Sequence, residues 1–181
     1  MEAVDPGFAG KDHFALFGLP RRYAVDRDRL EHLFRYLQAR VHPDKHAHLS
    51  EAERRVAMQW ATQVNEAYQT LRDPLKRARY LLHLTGHDPQ VETNTAMPPE
   101  FLMEQMELRE AVAESAEVGD VDNLDALHGR LRREMKAQHE RLGAALDDRQ
   151  DYAGAAEVVR QLMFQEKLLH DIDAALEATE A

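Results

Sequence analysis

The sequence predicts an all-α protein in two parts: an antiparallel helix pair joined by a short loop, then a three-helix bundle. Three observations predict it. Apolar residues recur at three- and four-residue spacing over long stretches, no segment alternates with period two long enough to argue for a sheet, and Gly and Pro fall mostly between the periodic segments. With 181 residues and 44% hydrophobic content, the chain can bury one sizeable core or two small ones.

The elements follow in chain order. Asp12 is a cap for a short helix through His13-Phe14-Ala15-Leu16-Phe17, and Gly18 stops it. Leu30, Leu33, Phe34, Leu37 and Val41 mark a second helix over 27–41, with Asp26 as its N-cap and Pro43 disfavouring helical geometry at His42. Ser50 and Glu53 have capping-box spacing, so a third helix opens there and runs to Arg72 along Ala57, Trp60, Ala61, Val64, Ala67, Tyr68 and Leu71. Asp73-Pro74 starts a fourth, carrying Leu75, Ala78, Leu81 and Leu82 up to Gly86. Residues 87–98 show no apolar period and read as a linker. Three longer helices complete the chain, at about 99–117, 121–146 and 151–177. The second has the stripe Leu124, Leu127, Leu131, Met135, Leu142, Leu146; the third has Tyr152, Ala156, Val159, Met163, Leu169, Ile172, Leu176.

Composition narrows the function. The formal charge of −10 is unevenly spread: residues 1–90 carry +2, residues 91–181 carry −12. An acidic second half argues against a nucleic-acid partner, because phosphate binding needs Lys and Arg. No run of 18 apolar residues exists and the N-terminal residues lack signal-peptide character, so no membrane association and a cytoplasmic location are expected. With no cysteine there is no disulfide, thiol nucleophile or thiolate metal site.

The first candidate site is His42-Pro43-Asp44-Lys45, between the second and third helices. Proline restricts the backbone there, and Asp44 offers a carboxylate that can accept from an arginine of another protein. The plainer reading makes Pro43 a helix stop and its neighbours turn formers. His42, His46 and His48 near Asp44 also raise a metal-dependent enzyme, but Pro43 opposes the helical geometry that would align His42 with His46. No HExxH, GxSxG, Walker or glycine-rich signature accompanies them. No cofactor, metal site or catalytic residue is assigned.

The second candidate lies in Phe101-Leu102-Met103-Glu104-Gln105-Met106-Glu107-Leu108-Arg109-Glu110. Phe101, Leu108 and Val112 share one stripe, which suffices to pack the helix into a bundle. Leu102, Met103 and Met106 point elsewhere. They are either a binding patch suited to adaptable methionines or a second buried face within the bundle.

A His-Pro-Asp loop between antiparallel helices, after Asp12-His13-Phe14-Ala15-Leu16-Phe17-Gly18-Leu19, resembles the J domain of DnaJ-type co-chaperones. The resemblance implies that His42, Pro43 and Asp44 stimulate ATP hydrolysis in a DnaK-type chaperone, while Arg35, Arg40 and Lys45 face that ATPase's acidic surface. The acidic bundle opened by Phe101–Glu110, with Asn65-Glu66-Ala67-Tyr68-Gln69-Thr70-Leu71-Arg72 and Arg77-Ala78-Arg79-Tyr80-Leu81-Leu82, is similar to the HscB family of iron-sulfur cluster co-chaperones, in its bacterial form. That family has no enzymatic activity of its own.

The HscB resemblance implies an HscA-like chaperone and an IscU-like iron-sulfur scaffold protein as partners. It assigns scaffold binding to Leu102, Met103, Met106, Glu107, Arg109, Glu110 and, in the last helix, Phe164. It divides the chain into an N-terminal extension (1–11) without assigned role, a J domain (12–86), a linker (87–98) and a scaffold-binding domain (99–181). The alternative is a general J-domain co-chaperone, although the Gly/Phe-rich and cysteine-rich segments of general DnaJ proteins are absent.

Overall fold

Side-chain caps set where the helices begin. The computed structural model describes residues 10–41, 50–89 and 97–180, and among these every regular element is helical. The expected all-α class holds. In α1 (His13–Leu16) the Ala15 N–H donates to Asp12 Oδ1 at 2.9 Å, while Arg21 Nε donates to Asp12 Oδ2 at 2.8 Å. Gly18 reverses the chain at φ 63°, a conformation that a Cβ disfavours. Phe14, Leu16 and Phe17 are thereby buried, and α1 packs on α3.

Helix α2 spans Arg27–Val41 and α3 spans Glu51–Arg72. The Arg29 N–H donates to Asp26 Oδ1 at 3.0 Å, and Ser50 with Glu53 completes the reciprocal box, the Ser50 N–H donating to Glu53 Oε2 at 2.9 Å. Leu30, Leu37 and Val41 on α2 and Ala57, Val64, Ala67 and Leu71 on α3 are buried. Each of the larger ones contributes about 1.5–3 kcal/mol by leaving water. Phe34 stacks on Tyr68 with centroids 3.9 Å apart, while Leu30 shares a cleft with Arg72, so the two helices run antiparallel.

Asp73 Oδ1 then accepts from the Leu75 and Lys76 N–H groups at 2.9 and 3.0 Å and starts α4 (Pro74–Leu84). Arg77 is 6% exposed, donates to the Leu71 carbonyl and lies over the Tyr23 ring. It therefore closes the end of α3 onto the loop before α2.

The chain divides into two units after Leu81, inside α4. In the second, α5 (Pro99–Val118) and α6 (Val121–Gly143) are joined through Gly119, at φ 70°, and Asp120. Asp120 Oδ1 accepts from the Asn123 N–H at 3.0 Å; Asn123 Nδ2 donates to Ser115 Oγ at 2.7 Å, and that hydroxyl donates to the Ala111 carbonyl.

After Gly143 the helix widens into a π-helical stretch, Ala144–Arg149, where continuous helix to about 146 was expected. This stretch ends at Gln150, left-handed at φ 54°, so the chain turns within two residues and Asp151 caps α7 (Tyr152–Glu180) through the Gly154 N–H at 2.9 Å. Helix α7 packs on both α5 and α6, which widens its buried arc. Ala155, Leu162, Gln165 and Leu168 are buried, whereas Met163, Leu169 and Leu176 from the expected stripe are partly exposed. Residues 87–89 lie against α7: His87 meets the Tyr152 ring at 5.0 Å and Arg160 Nη1 donates to the Pro89 carbonyl at 3.3 Å.

Candidate docking surfaces

In the first unit, α2 ends at Val41 and the capping box begins at Ser50. His42, Pro43, Asp44 and Lys45, with His46 and His48, lie outside the described residues. Arg35 and Arg40 are both exposed on α2. Five positions of helix set them roughly 140° apart, so they do not form one stripe. Arg35 Nη2 sits 3.4 Å from Glu31 Oε1, and the Arg40 guanidinium lies 5.8 Å from the Tyr36 ring centroid. Such exposed contacts hold a side chain loosely, since surface pairs are worth at most about 1 kcal/mol.

In the same unit the His13 ring stacks on Tyr80 at 4.2 Å, and the His13 backbone N–H donates to the Tyr80 hydroxyl at 3.0 Å. Burial pushes the imidazole pKa below its ordinary value against the opposing pull of Glu66 and Asp12. Burial works to raise the Asp12 pKa, but the Ala15 N–H and Arg21 outweigh it and hold that carboxyl below the usual range.

In the second unit α5 has two unlike sides. Phe101, Gln105, Leu108, Val112 and Ser115 are buried. Met103 and Met106 are 62% and 71% exposed, Leu102 is half-buried, and Glu107, Arg109 and Glu110 are exposed. Of the apolar residues off the packing stripe, Met103 and Met106 thus face solvent and Leu102 does so in part.

Phe164 on α7 joins them. Its ring meets Phe101 edge-on, with centroids 6.2 Å apart at 73°, and Arg109 lies over it at 5.4 Å. Arg109 Nη2 is also 3.7 Å from Asp171 Oδ2. Arg109 therefore bridges the two helices across the Phe164 ring. Asp171 was not anticipated, because nothing in the spacing of α7 marks it. What results is an α5 surface that displays two methionines among carboxylates, with the Phe101–Phe164 pair and Arg109 on the side toward α7. It can bury against a protein surface, but holds no group poised for bond chemistry. Among the described residues no cluster of His, Asp or Glu could hold a metal ion, and no helix is long and apolar enough to cross a membrane.

An antiparallel helix pair of this kind, its second helix opened by a capping box and followed by a separate bundle, has the organisation of a J-domain co-chaperone, and a DnaJ-domain family model matches residues 12–80. A second family model, described as the HSCB C-terminal oligomerisation domain, matches residues 97–173. The chain belongs to the HscB family. A relative from Azoarcus sp. (strain BH72), named as a co-chaperone protein HscB homolog, is 57% identical over 170 residues, covering 94% of this chain and 96% of that protein. The chaperone HscB from Vibrio cholerae superposes with a TM-score of 0.82 at 37% identity, covering 93% of this chain and 99% of the other. The human co-chaperone HscB gives 0.84 at 29% identity, covering 96% and 85%.

Proposed function

We propose that the protein is the co-chaperone that couples an iron-sulfur cluster scaffold protein to a DnaK-type chaperone ATPase in the cytoplasm. The observation that carries this reading is the pair of exposed methionines, Met103 and Met106, with the half-buried Leu102 on the same helix, on a bundle whose other large apolar residues are mostly buried, within a chain that also carries a J domain. Such a surface costs solvation unless a partner covers it.

The scaffold docks on Leu102, Met103, Met106 and Phe164, with Glu107, Arg109 and Glu110 at the rim. His42-Pro43-Asp44 of the J domain (12–86) triggers ATP hydrolysis, aided by Arg35, Arg40 and Lys45. Residues 87–98 join this domain to the scaffold-binding domain (99–181). The protein makes and breaks no bonds. It raises the local concentration of the scaffold at the chaperone, so moderate affinity at each surface suffices.

A steady-state ATPase assay of the HscA-like partner tests the coupling. The chain alone should stimulate turnover, and the IscU-like scaffold together with the chain should stimulate it further. No stimulation under either condition refutes the reading.

A further inference from the structure

Two glutamines are sealed into the bundle without partners. Gln105 on α5 is 3% exposed and Gln165 on α7 is 2% exposed, and the side-chain oxygen of each, Oε1, is buried with no hydrogen-bond donor among the described residues. Gln105 lies one helical turn from Phe101 and one from Arg109, roughly 40° round the axis from each. Both of those residues touch the Phe164 ring, so Gln105 faces the layer of α7 that holds Phe164 and Gln165. The α5–α7 layer therefore carries an unpaired amide oxygen from each helix. An acceptor buried without a donor weakens the packing that encloses it.

The α6–α7 pair is built differently. The two helices pack on one another, Leu124, Leu131 and Leu142 of α6 and Val159, Leu162 and Ile172 of α7 are fully buried, and His128 Nε2 sits 3.2 Å from Asp173 Oδ1 between them. Helix α5 is fixed to α6 at its C-terminal end, by the Gly119–Asp120 turn and the hydrogen bond from Asn123 to Ser115. Its N-terminal end has a weaker hold. No side chain caps it at Pro98, and Arg109 reaches Asp171 only at 3.7 Å between half-exposed groups, a pair worth little in water. So α5 is pinned at one end, uncapped at the other, and crossed between them by the amide layer.

Resting on the function proposed above, we infer that α5 swings away from α7 about the Gly119 turn, and that the open form is the one the scaffold protein binds. Opening lets water donate to Gln105 and Gln165. It also uncovers the Phe101 and Phe164 rings on the helices that frame the seam, so a partner docked at Met103 and Met106 can bury more apolar surface than the closed bundle displays. The two glutamines are positioning residues in this device: they set how often the seam opens. Hydrocarbon side chains in their place would lock it shut.

The chain holds no cysteine, so a single one introduced into the full chain reports opening by its rate of thiol labelling. Leu108→Cys places it on the buried side of α5, and Leu131→Cys on that of α6. Leu108→Cys should label at least about tenfold faster, because α5 opens without α6. Adding Gln105→Met and Gln165→Met keeps the side-chain volume and removes both unpaired oxygens. That double substitution should raise the melting temperature and slow labelling of Leu108→Cys about tenfold. In the cysteine-free chain it should weaken binding of the IscU-like scaffold by the same factor, since Kd scales inversely with the open fraction. A merely structural pair would not make a more stable chain bind less well. Equal labelling of the two cysteines overturns the inference. So does a double substitution that lowers the melting temperature, which would mean that bound water pairs the amides, or one that slows labelling and leaves scaffold affinity unchanged. None of these three results touches the proposed function. A parent chain that opens as described yet binds no scaffold refutes that function instead, and the claim about which form binds falls with it.

Discussion

Replacing Met103 and Met106 together by Ser should uncouple scaffold binding from folding. Full burial of such a side chain is worth about 1.5–3 kcal/mol. With 62% and 71% of these two residues still in water, docking has about 1–2 kcal/mol to gain from each. The double variant should thus lose about 2–4 kcal/mol of affinity, a rise in Kd of roughly 30- to 700-fold. Stability should scarcely change, because neither side chain is in the core and Ser costs only a few tenths of a kcal/mol per helical position. The contrast is Phe101→Ala: at 8% exposure it should cost about 3–5 kcal/mol of stability. Isothermal titration calorimetry against the scaffold, beside thermal melts of both variants, reads the two effects separately. A double variant that binds the scaffold within twofold of the parent would refute the reasoning.

Asp44→Asn should abolish stimulation of the DnaK-type ATPase while helix content and scaffold affinity stay as in the parent; retained stimulation in the assay above speaks against the J-domain trigger. Ser50→Ala removes the hydroxyl that caps α3 and should destabilise the first unit by about 1 kcal/mol, read by denaturant titration. His13 is held neutral by burial, so the unfolded chain binds the proton more readily than the folded one. Its contribution is fully present above the ordinary value of 6.5 and is lost as pH falls through the depressed folded value. His13→Gln should flatten that part of the stability profile, and an unchanged slope below pH 6.5 would contradict the assignment.

The caps were the most legible part of the sequence. Asp26, Ser50 with Glu53, and Asp73 each bond the backbone N–H groups that their spacing implies, and α2 and α3 begin and end within a residue of expectation. The π-helical stretch was not legible, because its terminator is Gln150 rather than a Gly or Asn that would advertise a left-handed residue. The phase of α7 was misread for a related reason. Leu168-Leu169 and Leu162-Met163 are adjacent apolar pairs, so periodicity alone cannot choose between them, and no hydrophobic pattern places Gln165 in the core. On the surface, Leu102, Met103 and Met106 stood out for lying off the packing stripe. Asp171 gave no such signal: only the folded chain brings it to Arg109, 62 positions earlier.

Phe101 and Phe164 meet across 63 positions of sequence, whereas α5 and α6 are hinged by two residues and pinned by Ser115 and Asn123. The short hinge lets the α5–α6 hairpin close early from local contacts, but the Phe101–Phe164 pair must wait for α7. At about 5–20 residues per second, ribosomal synthesis alone separates Phe101 from Phe164 by roughly 3–13 s. A chain truncated before α7 would carry the methionines without the Phe164 ring that meets Phe101. If the scaffold docks as proposed, the surface reports on the completeness of its own chain: an unfinished copy would offer only half a landing place.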